Sequence, residues 1–300
     1  MTASVVAPAK VNLTLHVTGR RDDGYHLIDS LVTFAPICDR LTVQDGNTLS
    51  LTVEGPESAG VPADMKNLAL QAAEIFSEGT GASLLLEKFL PAAAGIGGGS
   101  ADAAAALRGM LAMREDWTEE NWDSPDSVLL PYAKKILGLG ADVPMCLMSR
   151  PCRARGIGEK LDFLQHPKLP AVLVNPRVAV PTGPVFDRLA SRENPPMPDA
   201  IPECSDAVGL IDWLSDQRND LQAPAIELVP QIAICLETLA ATDGCRLARM
   251  TGSGATCFAL YETFEKARAS AESLYHAHPD WWVAGCELGD QSKLAEPKIS

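Results

Sequence analysis

The sequence predicts an α+β protein of two domains, and three observations predict it. Strand-like runs with period-2 alternation begin at Val11 and recur through residue 53. A glycine-rich loop at residues 91–99 feeds an alanine-rich segment with a strong helix preference. Beyond residue 166, helix and strand patterns interleave in the manner of helices packed on an antiparallel sheet. The chain has 300 residues and 46% hydrophobic content, enough for one large or two medium cores.

From Val11 the apolar residues Val11, Leu13, Leu15 and Val17 alternate with Asn12, Thr14 and His16, which predicts a strand with Lys10, Asn12, Thr14 and His16 on its second face. That face either meets solvent or lines a polar cleft. A turn composition over residues 19–24 leads to Tyr25 and His26. Their rings suit stacking on, and hydrogen bonding to, a flat polar ring, and they suit ordinary packing equally well. Runs at 31–37, 41–43 and 49–53 predict a hairpin-rich sheet, with Asp45-Gly46-Asn47 as the turn between the last two. Residues 67–77 have helical spacing, with Leu68, Ala72, Ile75 and Phe76 on one side, and residues 83–89 form a short apolar strand that runs into the glycine loop.

The loop reads Pro91, Ala92, Ala93, Ala94, Gly95, Ile96, Gly97, Gly98, Gly99, Ser100, Ala101. At a loop-to-helix junction the first helical N–H groups lack intrahelical partners, and the aligned peptide dipoles place positive charge there. Glycines let such N–H groups curl around an anion. The same residues also describe a glycine turn in which Ser100 caps the helix and no ligand binds. Two familiar phosphate motifs are excluded. A Walker A loop needs a lysine, and none lies between Lys88 and Lys134; the dinucleotide fingerprint fails because Ser100 stands where its third small residue belongs.

A helix over about 100–114 is followed by a polar stretch with Trp117, Trp122 and Pro125, and by a helix over 127–137. Asp142 then stands between a glycine turn and Pro144, which fits the first turn of another helix. It serves either as a helix cap or as the carboxylate that meets an acceptor hydroxyl. Arg153, Arg155 and Lys160 bracket the turn Gly156-Ile157-Gly158-Glu159, which is either locally positive or simply solvated. Composition places the domain change near residues 161–172, giving domains 1–165 and 166–300. In the second, a buried strand at 171–175 and a proline-rich stretch at 193–202 precede helices at 206–214, 224–239 and 263–276, with strands at 246–250, 256–261 and 281–286. The small-residue loop at 250–256 is either a plain hairpin turn or a backbone patch that approaches the first glycine loop.

A net charge of −14 argues against a nucleic-acid or anionic-membrane surface. Eight scattered cysteines, with no Cys-x-x-Cys pair and no zinc spacing, read as reduced core thiols. The N-terminus lacks a charged-then-apolar signal, and no uncharged apolar run reaches the roughly 18 residues of a membrane span. A soluble cytoplasmic protein is expected.

As a set, Ala9-Lys10-Val11-Asn12-Leu13, the segment from Gly19 to His26, the loop at 91–106, Leu139-Gly140-Ala141-Asp142-Val143-Pro144, Gly156-Ile157-Gly158-Glu159, Asn219-Asp220-Leu221 and Gly252-Ser253-Gly254-Ala255 resemble the GHMP superfamily of small-molecule kinases. The resemblance spans nearly the full chain. It implies a ribosomal-S5-like N-terminal domain, a ferredoxin-like GHMP C-terminal domain and an active site between them. Within the superfamily it points to the branch that transfers the ATP γ-phosphoryl group to the 2-hydroxyl of a methylerythritol carried on cytidine diphosphate, in non-mevalonate isoprenoid biosynthesis. Lys10 and Asp142 stand at its catalytic positions, and the eleven residues from Pro91 to Ala101 at its ATP-binding stretch. Asn12 would position the acceptor, Tyr25 would stack on the cytosine, His26 would hydrogen-bond it, and Phe186 is the candidate second stacking aromatic. The implied partners are ATP, with Mg2+ as its counter-ion, and the cytidylyl acceptor, with the oligomeric state open between monomer and weak homodimer. Ala101 departs from the commonest loop, which has serine there, and no metal ligand is assigned.

Overall fold

The computed structural model describes residues 1–77, 81–114 and 129–300. Trp117, Trp122, Pro125 and the start of the helix expected at 127 lie outside the described residues. Two sheets organise the rest. The first has eight strands: β1 (Thr2–Asn12), β2 (His16–Arg20), β3 (His26–Gly46), β4 (Ser50–Glu54), β5 (Gly81–Glu87), β6 (Cys152–Gly156), β7 (Lys160–Phe163) and β12 (Lys298–Ile299). The second is antiparallel, in the order β11 (Trp282–Leu288), β8 (Leu169–Asn175), β10 (Cys257–Tyr261), β9 (Cys245–Met250).

Strand β3 is the spine of the first sheet. It pairs with β1 along most of its length, with β2 and β6 near its start and with β5 near its end. The expected runs at 31–37 and 41–43 are thus one strand, and the register shift between Pro8 and Ala9 of β1 lets it bend as it passes. The expected hairpin at Asp45-Gly46-Asn47 does not form. Strand β5 lies between β3 and β4, and β4 pairs with β5 in parallel, joined through helix α1 (Leu68–Ser77). A parallel pair needs such a crossover, and α1 buries Ala69, Ala72, Ala73 and Phe76 in making it.

Helix α2 (Gly98–Ala112) packs on this sheet with its alanines from Ala101 to Ala106 buried. Small residues permit the close approach: a Cβ on Gly109 would lie 2.7 Å from Val43 Cγ2. The helix starts at Gly98 rather than near Ser100, with left-handed Gly97 at the cap position, so Ser100 is inside the helix and caps nothing. Short helices α3 (Ala133–Leu139) and α4 (Val143–Met148) follow, Pro144 falling in the first turn of α4.

In the second half, α5 (Thr182–Asp187) and α6 (Ala207–Ser215, capped by Asp206) precede α7 (Gln222–Leu228) and α8 (Gln231–Ala240). The single helix expected over 224–239 is broken at Val229-Pro230 because proline removes an N–H and clashes with the preceding turn. Helix α9 (Phe264–Ala277), capped by Thr263, and α10 (Ser292–Ala295) complete the set. One core lies between the first sheet and α1 and α2, and another lies mostly in the second half, with Leu15 and Val17 reaching into it from the first. A third joins the two, packing Ala9, Val11, Leu13, Leu90 and Ile96 against Leu169, Leu173, Phe258 and Leu260. All eight cysteines are free thiols, and among the described residues no helix is long and apolar enough to cross a membrane.

Candidate active site

The strand expected through Val17 breaks after Asn12, and this break sorts its polar face. Residues 13 and 14 lie outside any strand because Leu13 and Thr14 both donate N–H to Leu31 O, while Thr14 O accepts from Ser30 Oγ at 2.5 Å. Lys10 and Asn12 line a cleft of about 570 Å³. Thr14 and His16 do not line it. The Thr14 hydroxyl contacts Leu31 N and Met197 Sδ, and His16 Nδ1 lies 3.3 Å from Pro195 O.

In the cleft Lys10 Nζ donates to Asn12 Oδ1 at 2.5 Å and lies 3.3 Å from Asp142 Oδ2. Asp142 occupies the cap position of α4, yet its side chain makes no capping hydrogen bond. The carboxylate does not cap the helix; it faces the lysine and the cleft. Asn12 is held on three sides. Its Nδ2 donates to Ser30 Oγ at 2.8 Å, its Oδ1 accepts from Lys10, and its backbone N donates to Thr251 Oγ1 at 2.8 Å.

The glycine loop meets this pair through the Lys10 backbone. Lys10 N donates to Ile96 O at 3.0 Å, and Gly97, at φ 65°, leaves room for the Lys10 stem: a Cβ there would lie 2.6 Å from Lys10 Cγ. Gly97→Ala is expected to strain this left-handed residue and displace Lys10, lowering kcat/KM for ATP by about tenfold or more. Steady-state kinetics check it; an unchanged value would separate the loop from the reaction.

The second loop is both things the sequence allowed. It is the hairpin between β9 and β10, and its backbone packs on the first loop: Thr256 N donates to Ala94 O at 3.1 Å. Side chains are excluded from the contact, since a Cβ on Gly95 would lie 2.7 Å from Thr251 O and one on Gly252 would lie 2.5 Å from Gly95 O. Asn219 secures it by donating Nδ2 to Met250 O at 2.7 Å and to Gly252 O at 2.9 Å.

Tyr25, His26 and Phe186 line the same cleft. His26 and Phe186 stack on each other, with ring centroids 4.5 Å apart and planes 18° from parallel, and Phe186 also packs against the core of the second half. Tyr25 is 60% exposed at the rim. Burial, and then Arg20 and Arg192, push the His26 pKa below its ordinary value. The neutral imidazole offers one donor and one acceptor, and its buried Nε2 has no hydrogen-bond partner in the structure. Arg153, expected at a turn, is instead buried and paired with Asp29, while Arg155 pairs with Asp162 at the surface.

Thr251, Ser30 and Asn219 were not assigned roles by sequence reasoning. Asn219 stood in a motif of the resemblance, but nothing in its neighbourhood points to a loop more than 30 residues away, its bond to Met250 spanning 31 positions.

The family descriptions "GHMP kinases N terminal domain" and "GHMP kinases C terminal" match residues 67–150 and 200–280. A 4-diphosphocytidyl-2-C-methyl-D-erythritol kinase of Cereibacter sphaeroides is 51% identical over 92% of this chain and 96% of its own. The chain belongs to the 4-diphosphocytidyl-2-C-methyl-D-erythritol kinase family. A member from Roseobacter denitrificans is 47% identical over 99% of this chain and 97% of its own. Among solved structures, a 4-(cytidine 5'-diphospho)-2C-methyl-D-erythritol kinase superposes with a TM-score of 0.72 at 34% identity, covering 95% of this chain and 99% of its own. A homoserine kinase from Cytophaga hutchinsonii shares the fold, with a TM-score of 0.69 at 18% identity over 100% of this chain and 97% of its own.

Proposed function

We propose that this chain transfers the γ-phosphoryl group of ATP to the 2-hydroxyl of 4-diphosphocytidyl-2-C-methyl-D-erythritol, giving the 2-phosphate and ADP for non-mevalonate isoprenoid synthesis. The observation that carries the reading is the sharing of one cleft by the Lys10–Asp142 pair and the His26–Phe186 stack. The relatives' names supply the substrate.

In this reading the N–H groups of Gly98, Gly99 and Ser100, which precede the first intrahelical donor Ala101 N, hold the ATP phosphates, within the stretch from Pro91 to Ala101. Asp142 takes the proton of the 2-hydroxyl as its oxygen bonds to the γ-phosphorus. The bond to the β–γ bridging oxygen breaks, and ADP leaves with its electron pair. Lys10 balances the carboxylate and the charge on the transferring oxygens, and Asn12 sets the angle of approach. Tyr25 and Phe186 hold the cytosine by stacking while His26 hydrogen-bonds it.

Magnesium is proposed as the ATP counter-ion, because charge neutralisation is central to phosphoryl transfer. Such an ion takes most of its ligands from phosphates and water, and so needs few from the protein. The fold boundary is proposed at 165/166, and the protein is proposed to act in the cytoplasm on small molecules alone.

The test is ADP release with magnesium and ATP against 4-diphosphocytidyl-methylerythritol, homoserine, mevalonate and water. Turnover is expected with the first only. Turnover confined to homoserine or mevalonate would overturn the assignment of Tyr25, His26 and Phe186.

A further inference from the structure

Outside the cleft, one buried cluster of charges touches both ends of the glycine loop. Lys88, the residue after β5, is almost fully buried, as are Asp39 of β3 and Asp102 of α2. Lys88 Nζ donates to Asp39 Oδ2 and, at 2.6 Å, to Asp102 Oδ2. Asp39 Oδ1 in turn accepts the backbone N–H groups of Phe89 at 2.6 Å and Leu90 at 2.9 Å, the two residues that lead into the loop. Asp102 stands on the second turn of the helix that leaves it. The cluster lies close to the first helical residue: a Cβ on Gly98 would sit 3.7 Å from Lys88 Nζ and 4.0 Å from Asp39 Oδ2.

We propose that Lys88 is a positioning residue for the ATP phosphates, its ammonium clasping the strand that enters the glycine loop, through Asp39, to the helix that leaves it, through Asp102. The proposal rests on the reading of residues 91–101 as the ATP-binding stretch.

The physical case is preorganisation. The loop between Leu90 and Gly98 belongs to no helix or strand, so the spacing of its ends decides whether its N–H groups converge on one anion. An ion cluster is suited to hold that spacing because its cost of burial is recovered only in one geometry. Burial opposes a charge on Lys88, but Asp102 and Asp39 outweigh it and raise its pKa, so the ammonium stays charged. Burial pushes the Asp102 pKa up to about 8 against the pull of Lys88, with Asp39 adding to the rise, so Lys88 Nζ holds Asp102 by the 2.6 Å hydrogen bond, while the other carboxyl oxygen is buried without a partner. Neither Lys88 nor its two partners lines the acceptor cleft.

The experiment is equilibrium binding of ATP and, separately, of the cytidylyl acceptor, measured by calorimetry on the full chain. Three proteins are compared with wild type: Lys88→Met, the neutral triple variant Lys88→Met/Asp39→Asn/Asp102→Asn, and Gly97→Ala as a loop reporter. In the triple variant the amide introduced by Asp39→Asn retains an oxygen for Phe89 and Leu90 and none of the three charges remains, so it keeps the test open should the single variant not fold. ATP is expected to bind at least about tenfold more weakly to both Lys88 variants, with acceptor affinity within about twofold of wild type. A folded triple variant that binds ATP as tightly as wild type would overturn the clasp. Equal weakening of ATP and acceptor would also overturn it, since a general loss of structure has no reason to spare one ligand. If Gly97→Ala leaves ATP binding unchanged, the ATP reading of the loop fails and this proposal with it; weakening by Gly97→Ala but not by either Lys88 variant removes the clasp alone.

Discussion

Asp142→Asn is expected to lower kcat by about 10²–10⁴-fold with little change in acceptor affinity, the loss typical of a missing general base. Asparagine keeps the size of the side chain and an oxygen for Lys10, which lies 3.3 Å from the carboxylate, but it cannot take up a proton. The α4 helix should be undisturbed because Asp142 makes no side-chain cap bond. Turnover at saturating ATP and acceptor, with acceptor affinity by calorimetry, gives the answer. A variant that keeps more than about one tenth of wild-type turnover would take Asp142 out of the proton-accepting role.

Arg153→Met is expected to destabilise the fold by about 3–5 kcal/mol, because it leaves the buried Asp29 carboxylate without its cation. Arg153 pairs with Asp29 through Nε at 2.8 Å and Nη2 at 2.7 Å. The same guanidinium donates to Met197 O at 3.2 Å, Pro198 O at 3.0 Å and Asp199 O at 2.9 Å, while Asp29 Oδ2 accepts Met197 N at 3.0 Å. The proline-rich stretch is thereby strapped to β3 and β6. The hydrogen bond to Asp29 outweighs burial and holds the guanidinium pKa above its ordinary value. Urea unfolding measures the loss, and limited proteolysis should find new cleavage near residues 195–199. Arg153→Met/Asp29→Asn should recover much of the stability, since no buried charge remains. A single variant within about 1 kcal/mol of wild type would mean that the pair does not hold the strap.

The same arginine marks the boundary of what a linear reading reaches. Beside a glycine turn, Arg153 reads as one of three surface cations; its partner Asp29 is 124 residues away and nothing local announces it. Asp142 is the converse case. Both candidate roles were legible in the turn before Pro144, but that its side chain faces Lys10 and leaves α4 uncapped depended on another element. His26 was legible as a candidate for ring contacts and Phe186 as one only through the family resemblance, and neither was legible as half of a stacked pair, for the same reason.

What the sequence by itself determined is local. The left-handed Gly95, Gly97 and Gly252, the alanine helix, Pro144 in a first helical turn and the caps at Asp206 and Thr263 follow from backbone sterics and near-neighbour hydrogen bonds. The tertiary structure decided which strands are neighbours and which polar groups face each other. Strand β5 displaced the hairpin turn by pairing on both sides, with β3 and with β4. Leu31 drew the N–H groups of Leu13 and Thr14 out of the strand, leaving Lys10 and Asn12 in the cleft and Thr14 and His16 behind it. Helix and turn propensities act over a few residues, whereas pairing and buried charge are settled by whatever the rest of the chain places within a few ångströms.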